Sequence, residues 1–147
     1  MGIMVSNFDF SPFKQAMLNA GHSPTHVDAC FADLLILLHD AEDTGRAHAM
    51  TEGADEALHA ILADRMAWRR LGVAIHPAGM VHDANAYGTP AFSAAWENTR
   101  AAFAHHGIDL AADYTSDVGN FRSAAACLRR PLEPGEDPED PIFKKAA

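Results

Sequence analysis

Residues 24–40 read PTHVDACFADLLILLHD and form the most apolar uninterrupted stretch of the chain. At about 100° per residue, its large apolar side chains fall within one helical arc of roughly 160°; they are Val27, Phe31, Leu34, Leu35 and Leu38. Ile36 lies on the opposite side, among small alanines. A helix with one large-residue side and one small-residue side is usually packed on both, so this stretch is predicted to be the central helix of the core.

Helix starts elsewhere in the chain follow one recurring device, a Ser or Thr before a Pro. It occurs at residues 11–12, 23–24 and 89–90. Thr51 predicts the start of a further helix over residues 52–71, and Ser116 predicts a last helix over 117–130 that ends before Pro131. The sequence therefore predicts an all-α, single-domain bundle of about five helices.

The longest segment without a helical pattern is VAIHPAGMVHDANAYG, residues 73–88. Loops of this length inside a compact domain are usually functional or disordered, and this one is too apolar for disorder. Residues 73–75 and 80–81 have the composition of a small hairpin across residues 77–79. The segment is therefore predicted to be a long inter-helix loop with a possible hairpin.

The C-terminal segment PLEPGEDPEDPIFKKAA, residues 131–147, is rich in proline and acidic residues. This composition is typical of an extended or disordered tail. Ile142 and Phe143 are its large apolar residues after Leu132, and they are candidates for docking on another surface. The chain is thus predicted to consist of a helical domain over residues 1–130 and an acidic tail over residues 131–147.

The composition excludes several classes of partner. The chain has 147 residues, a net charge of −9 and two cysteines. Because nucleic-acid binding depends on Lys and Arg neutralising phosphates, direct nucleic-acid binding is not expected, and neither is binding to an anionic membrane. Cys30 and Cys127 stand in apolar surroundings without a C-x-x-C pair, which predicts buried free thiols and a cytoplasmic protein.

Nine histidines are many for a chain of this size, and they raise the possibility of a metal site. A hairpin at residues 73–81 would bring His76 and His82 together, with Asp83 beside them. Two imidazoles and a carboxylate can hold a divalent metal ion. His76, His82 and Asp83 are therefore the candidate metal ligands, with a third or fourth ligand still to be supplied from elsewhere; no other cofactor is predicted.

No catalytic motif such as H-E-x-x-H, G-x-S-x-G or a Walker loop occurs, so the sequence favours a binding protein over an enzyme. The first hypothesis is a small acidic protein that binds another protein, as an adaptor, inhibitor or immunity-type factor, or binds itself as a homodimer. Arg and Trp are favoured interface anchors. The candidate interface residues are Ile36, Arg65, Trp68, Arg69, Ile142 and Phe143. The alternative is a metal-binding protein or small metal-dependent enzyme that uses residues 76–87.

Overall fold

The computed structural model describes residues 5–136, where five α-helices pack against a three-stranded antiparallel sheet. After a short 3-10 turn at Val5–Asn7, the elements are α1 Ser11–Asn19, α2 Pro24–Thr44, β1 His48–Thr51, α3 Glu52–Leu62, α4 Arg65–Ile75, β2 Met80–Asp83, α5 Pro90–Ala104 and β3 Ala124–Pro131. The predictions of an all-α fold and a helical bundle are therefore wrong, because three segments pair as strands.

The central helix α2 is confirmed. Ser23 caps its first turn, where the Ser23 side chain accepts a hydrogen bond from the His26 backbone N–H at 3.1 Å. Gly45 ends the helix in the left-handed conformation, with φ of 73°. The apolar side of α2 is buried in the core through Val27, Cys30, Phe31, Leu34, Leu37 and Leu38.

The single helix predicted over residues 52–71 is two helices. Asp64 interrupts it with an extended backbone, and its carboxylate accepts a hydrogen bond from the Ala67 N–H at 3.1 Å, which caps α4. Helix α4 then continues past Gly72 to Ile75. A Cβ at Gly72 would lie 3.1 Å from the Met80 backbone nitrogen, so this glycine lets β2 approach α4 closely rather than ending the helix.

Strand β3 occupies the centre of the sheet, in the order β1-β3-β2, and both neighbours run antiparallel to it. The predicted last helix over residues 117–130 is wrong, because residues 124–131 are paired on both edges. The predicted hairpin is also wrong, because residues 73–75 belong to α4 and β2 pairs with β3 instead. The alanines of residues 124–131 favour a helix, but hydrogen bonds from this segment to two distant strands, β1 and β2, outweigh that preference.

A buried polar chain joins α2 to the sheet. Arg129 of β3 is fully buried, and its guanidinium donates to the Arg46 carbonyl and to Nδ1 of His48, the latter at 3.2 Å. Since Nδ1 accepts, His48 is neutral and its Nε2–H donates to Asp40 at 2.6 Å. Asp40 also binds Arg46 at 2.9 Å. The carboxylate of Asp40 therefore balances a buried positive charge at the β1 end of the sheet.

The start of the C-terminal segment contacts the sheet. The Leu132 N–H donates to the Gly79 carbonyl at 3.1 Å, and Glu136 pairs with Arg130 at 2.6 Å. Ile142 and Phe143 lie outside the described residues, so their predicted docking and the division at residue 130 stay predictions. Among residues 5–136, no helix is both long enough and apolar enough to cross a membrane.

Candidate metal centre

Four potential metal ligands converge where α3 packs against the sheet: Asp55, His59, His82 and Cys127. Asp55 and His59 are four residues apart on α3, so they lie one above the other on the same helix face. His82 of β2 is opposite Arg129 of β3, which places Cys127, two residues earlier, on the same sheet face. One donor atom from each of the four residues lies within 4.8 Å of the other three.

The distances within this cluster match the spacing of ligands around an ion. Asp55 Oδ2 lies 3.3 Å from His59 Nε2, and Asp55 Oδ1 lies 3.4 Å from His82 Nε2. Ordinary N–H···O hydrogen bonds measure about 2.7–3.2 Å. Tetrahedral Zn²⁺ bonds of about 2.0–2.3 Å separate neighbouring ligand atoms by roughly 3.3–3.8 Å. The contacts between the Asp55 carboxylate and the two imidazoles are therefore long hydrogen bonds, and their lengths also suit ligands of one cation.

The electrostatics of the cluster follow from its burial. His82 is 2% exposed and Cys127 is 9% exposed. Burial raises the pKa of Asp55, but hydrogen bonds from His59 and His82 outweigh this and the net pKa is lowered, so the group is a carboxylate. The hydrogen bond to Asp55 in turn raises the pKa of His59. The Asp55 carboxylate is thus ready to bind a cation, and a bound cation would have to displace any proton held by His59.

Cys127 behaves differently from the other three residues. Burial, together with the charge of Asp55, raises the pKa of the Cys127 thiol to about 12, so without an ion it is protonated at neutral pH. A bound cation would displace this proton, because the thiolate is the form that binds metal. His82 Nδ1 is buried and has no hydrogen-bond partner within residues 5–136, while Nε2 faces Asp55.

A cavity of about 540 Å³ opens beside the cluster, between α1 and α3. Asp55 and His59 line it, together with Glu56 and His22. The remaining wall is made of small or apolar side chains, namely Ala16, Met17, Ala20, Ala60 and Ala63. The His59 side chain is 51% exposed, so an ion held by the cluster could be reached from this cavity.

The three metal ligands expected from sequence do not come together. His82 belongs to the cluster, whereas His76 caps the end of α4 and its Nδ1 accepts a hydrogen bond from the Ala78 N–H at 3.1 Å. Asp83 follows His82 in the strand and so points to the other sheet face, where it lies 3.7 Å from Arg130. Pairing of β2 with β3, instead of a local hairpin, separates these residues.

Sequence reasoning missed Asp55, His59 and Cys127 as ligands. The four-residue spacing of Asp55 and His59 within a predicted helix was the signal that could have found two of them. Cys127 carries no such signal, because the sequence predicts a helix for its segment. The strand assignment alone brings its sulfur beside His82.

The candidate interface residues lie in different environments. Trp68 is 1% exposed and its indole N–H donates to the Met80 carbonyl at 3.3 Å, so it is part of the core. Ile36 is half-buried, while Arg65 and Arg69 are exposed on α4. The outer side of α4 also carries Met66 at 61% exposure and Val73 at 58%.

Comparison with protein-family models, with curated proteins and with solved structures found no match to this chain.

Proposed function

We propose that this protein binds a divalent transition-metal ion through Asp55, His59, His82 and Cys127. The observation that carries the proposal is the separation of 3.3–3.4 Å between the Asp55 carboxylate and two imidazoles, which suits ligands of one ion. Two nitrogen donors with a thiolate and a carboxylate favour Zn²⁺ over Mg²⁺ or Ca²⁺. The two negative ligands would also neutralise the charge of the ion in a mostly buried place.

The ion would stabilise the fold, or its binding would let the protein act as a metal sensor. It would not catalyse hydrolysis. Four protein ligands fill a tetrahedral shell, whereas catalytic zinc sites keep one position for water. The ion would join α3 to β2 and β3, so its binding free energy would add to the free energy of unfolding. A thiolate ligand requires a reduced cysteine, and both cysteines are unpaired, so a cytoplasmic location belongs to the same proposal.

Metal analysis and thermal unfolding of the EDTA-treated protein test this proposal. Zn²⁺ at a hundredfold excess over Kd is expected to stabilise the native state by about 2.7 kcal/mol, which raises the melting midpoint by several degrees. The His82→Ala variant is expected to retain one equivalent less of tightly bound Zn²⁺ than the natural protein after dialysis.

The matched control is His76→Ala, because His76 was the other candidate ligand from sequence and lies outside the cluster. It is expected to keep the same Zn²⁺ content and melting shift as the natural protein. An unchanged midpoint in the natural protein with Zn²⁺, or loss of Zn²⁺ in His76→Ala but not in His82→Ala, would refute the assignment.

A second candidate function, protein–protein binding, is supported by the outer side of α4. Met66 and Val73 lie two turns apart on the same exposed side, at 61% and 58% exposure. Helix α4 contains three arginines and no acidic residue, in a chain whose net charge is −9. A dimer would bury this exposed apolar pair, so we propose self-association through Met66 and Val73 of α4.

Sedimentation analysis over a range of concentrations tests this second candidate. The natural protein is expected to form dimers, and the Met66→Glu/Val73→Glu variant is expected to remain monomeric at the same concentrations. Val118→Glu is the matched control, because Val118 is 71% exposed and lies outside α4, so it should still dimerise. A natural protein that stays monomeric throughout would exclude this function.

A further inference from the structure

A second group of potential metal ligands borders the same cavity from the side of α2. His22 precedes α2, His26 lies in its first turn, and Glu56 projects from α3. One donor atom from each lies within 4.8 Å of the other two. The His22 and His26 rings stack with centroids 5.3 Å apart and an interplanar angle of 22°. Two imidazoles and one carboxylate thus converge at the surface.

A buried thiol lies directly behind these three residues. Cys30 is one helical turn after His26, and its Sγ is 3.4 Å from His26 Nε2 and 3.9 Å from Glu56 Oε2. Zn²⁺–S bonds of about 2.3 Å and Zn²⁺–N bonds of about 2.0 Å would place the two ligand atoms roughly 3.5 Å apart in a tetrahedral site. The sulfur is therefore at ligand spacing from His26 without rearrangement of α2.

Cys30 contacts His26 and Glu56, and with it this group has the donor types of the metal centre, although the atoms that all lie within 4.8 Å of one another are those of His22, His26 and Glu56. Consecutive residues of α3, Asp55 and Glu56, supply the carboxylates, and they point about 100° apart on the helix. The Asp55 carboxylate therefore belongs to the first cluster and the Glu56 carboxylate to the second, and both residues line the cavity between α1 and α3. The clusters are two separate sites rather than one extended site.

The side chains of His26 and Glu56 must move apart before an ion can enter. His26 Nε2 and the Glu56 carboxylate are joined by a 2.7 Å hydrogen bond, which an ion must replace. Their side chains are 34% and 44% exposed, so both can rotate without disturbing the core. The loss of this hydrogen bond would make the second site weaker than the first.

We infer that His22, His26 and Glu56, with Cys30 behind them, form a second transition-metal site, of Zn²⁺ or Co²⁺ chemistry, beside the cavity that the metal centre also borders. The protein would then hold two ions, one buried against the sheet and one at the surface between α2 and α3. This inference stands on its own ligands and does not require the first site to be occupied.

Co²⁺ binding to the full chain, under anaerobic conditions with a non-thiol reductant, tests the inference. The natural protein is expected to bind two equivalents, each with a thiolate-to-cobalt charge-transfer band. The His22→Ala/His26→Ala variant is expected to bind one equivalent, and Cys30→Ser is expected to lose about half of the band. Glu56→Gln provides a second, milder removal of a ligand with little risk to folding, because its side chain is exposed.

The control is His39→Ala, because His39 is an exposed histidine of the same helix that belongs to neither cluster. It is expected to bind two equivalents. Binding of as much Co²⁺ by both His22→Ala/His26→Ala and Glu56→Gln as by the natural protein would overturn the second site. If His82→Ala binds as much Co²⁺ as the natural protein while His22→Ala/His26→Ala binds less, the first site fails and the second stands.

Discussion

Replacing Asp40 by alanine is expected to lower the free energy of unfolding by about 1–3 kcal/mol, because it leaves the buried His48 Nε2–H without its acceptor and removes a carboxylate that stabilises the charge of Arg129. Arg129 is 0% exposed, and burial lowers its pKa only to about 10, so it is charged at neutral pH. His48 connects the two residues, because its Nε2–H donates to Asp40 and its Nδ1 accepts from Arg129. Asp40 also accepts a hydrogen bond from the Arg46 guanidinium at 2.9 Å. Urea unfolding at neutral pH in EDTA measures the change.

A compensating substitution distinguishes the charge from simple loss of packing. Asp40→Ala/Arg129→Met removes both the carboxylate and the buried guanidinium, so it is expected to be more stable than Asp40→Ala by at least about 1 kcal/mol. The exposed Asp43 on the same helix is the matched control, and Asp43→Ala should change stability by less than about 0.5 kcal/mol. A cost below about 1 kcal/mol for Asp40→Ala would show that the buried charge is balanced in another way.

Acidification from about pH 6.5 to pH 4 is expected to cost about 3 kcal/mol of stability through His48 alone. Burial, together with the charge of Arg129, lowers the pKa of His48 from 6.5 to about 4 in the folded protein. Between these values the unfolded chain binds the proton and the folded protein does not. Stability therefore rises with pH across this window and is lost as the pH falls through it.

The His48→Gln variant isolates this effect, because the glutamine amide can donate and accept in the same chain but does not titrate. Unfolding curves in EDTA at several values between pH 7.5 and pH 4.5 should be flatter for this variant than for the natural protein. His59, whose pKa is raised by Asp55, acts in the opposite direction and is common to both proteins. Equal pH dependence of the two proteins would mean that His48 is protonated in the folded state.

Several local features of the fold could be predicted because their causes lie within a few residues. Ser23, Thr51 and Thr89 each accept a backbone N–H at the start of a helix, as their positions in sequence indicated. Gly107 ends α5 with φ of 74°, and the Ile108 N–H bonds back to Phe103. Ser11 is an exception, since the N-cap of α1 is Phe10 and no side chain caps it.

The strands could not be predicted in the same way. Residues 124–131 read AAACLRRP, with three helix-favouring alanines and a spacing of apolar residues that fits a helix. Their strand conformation depends on hydrogen bonds to β1 and β2, which come from much earlier in the chain. No local pattern indicates those partners, so the apolar periodicity predicts a helix where the structure has a strand.

The sequence by itself determined the central helix, the starts of α3 and α5, the burial of both cysteines and the acidic character of the chain. These depend on side-chain periodicity, caps and composition, which act locally or additively. Only the tertiary structure decided that β3 pairs with β1 and β2, and that Cys127 and His82 thereby meet Asp55 and His59. A metal site of this kind needs ligand atoms from separate helices and strands to meet at one point. Strand pairing and helix packing between distant parts of the chain bring them together, whereas spacing along the sequence does not.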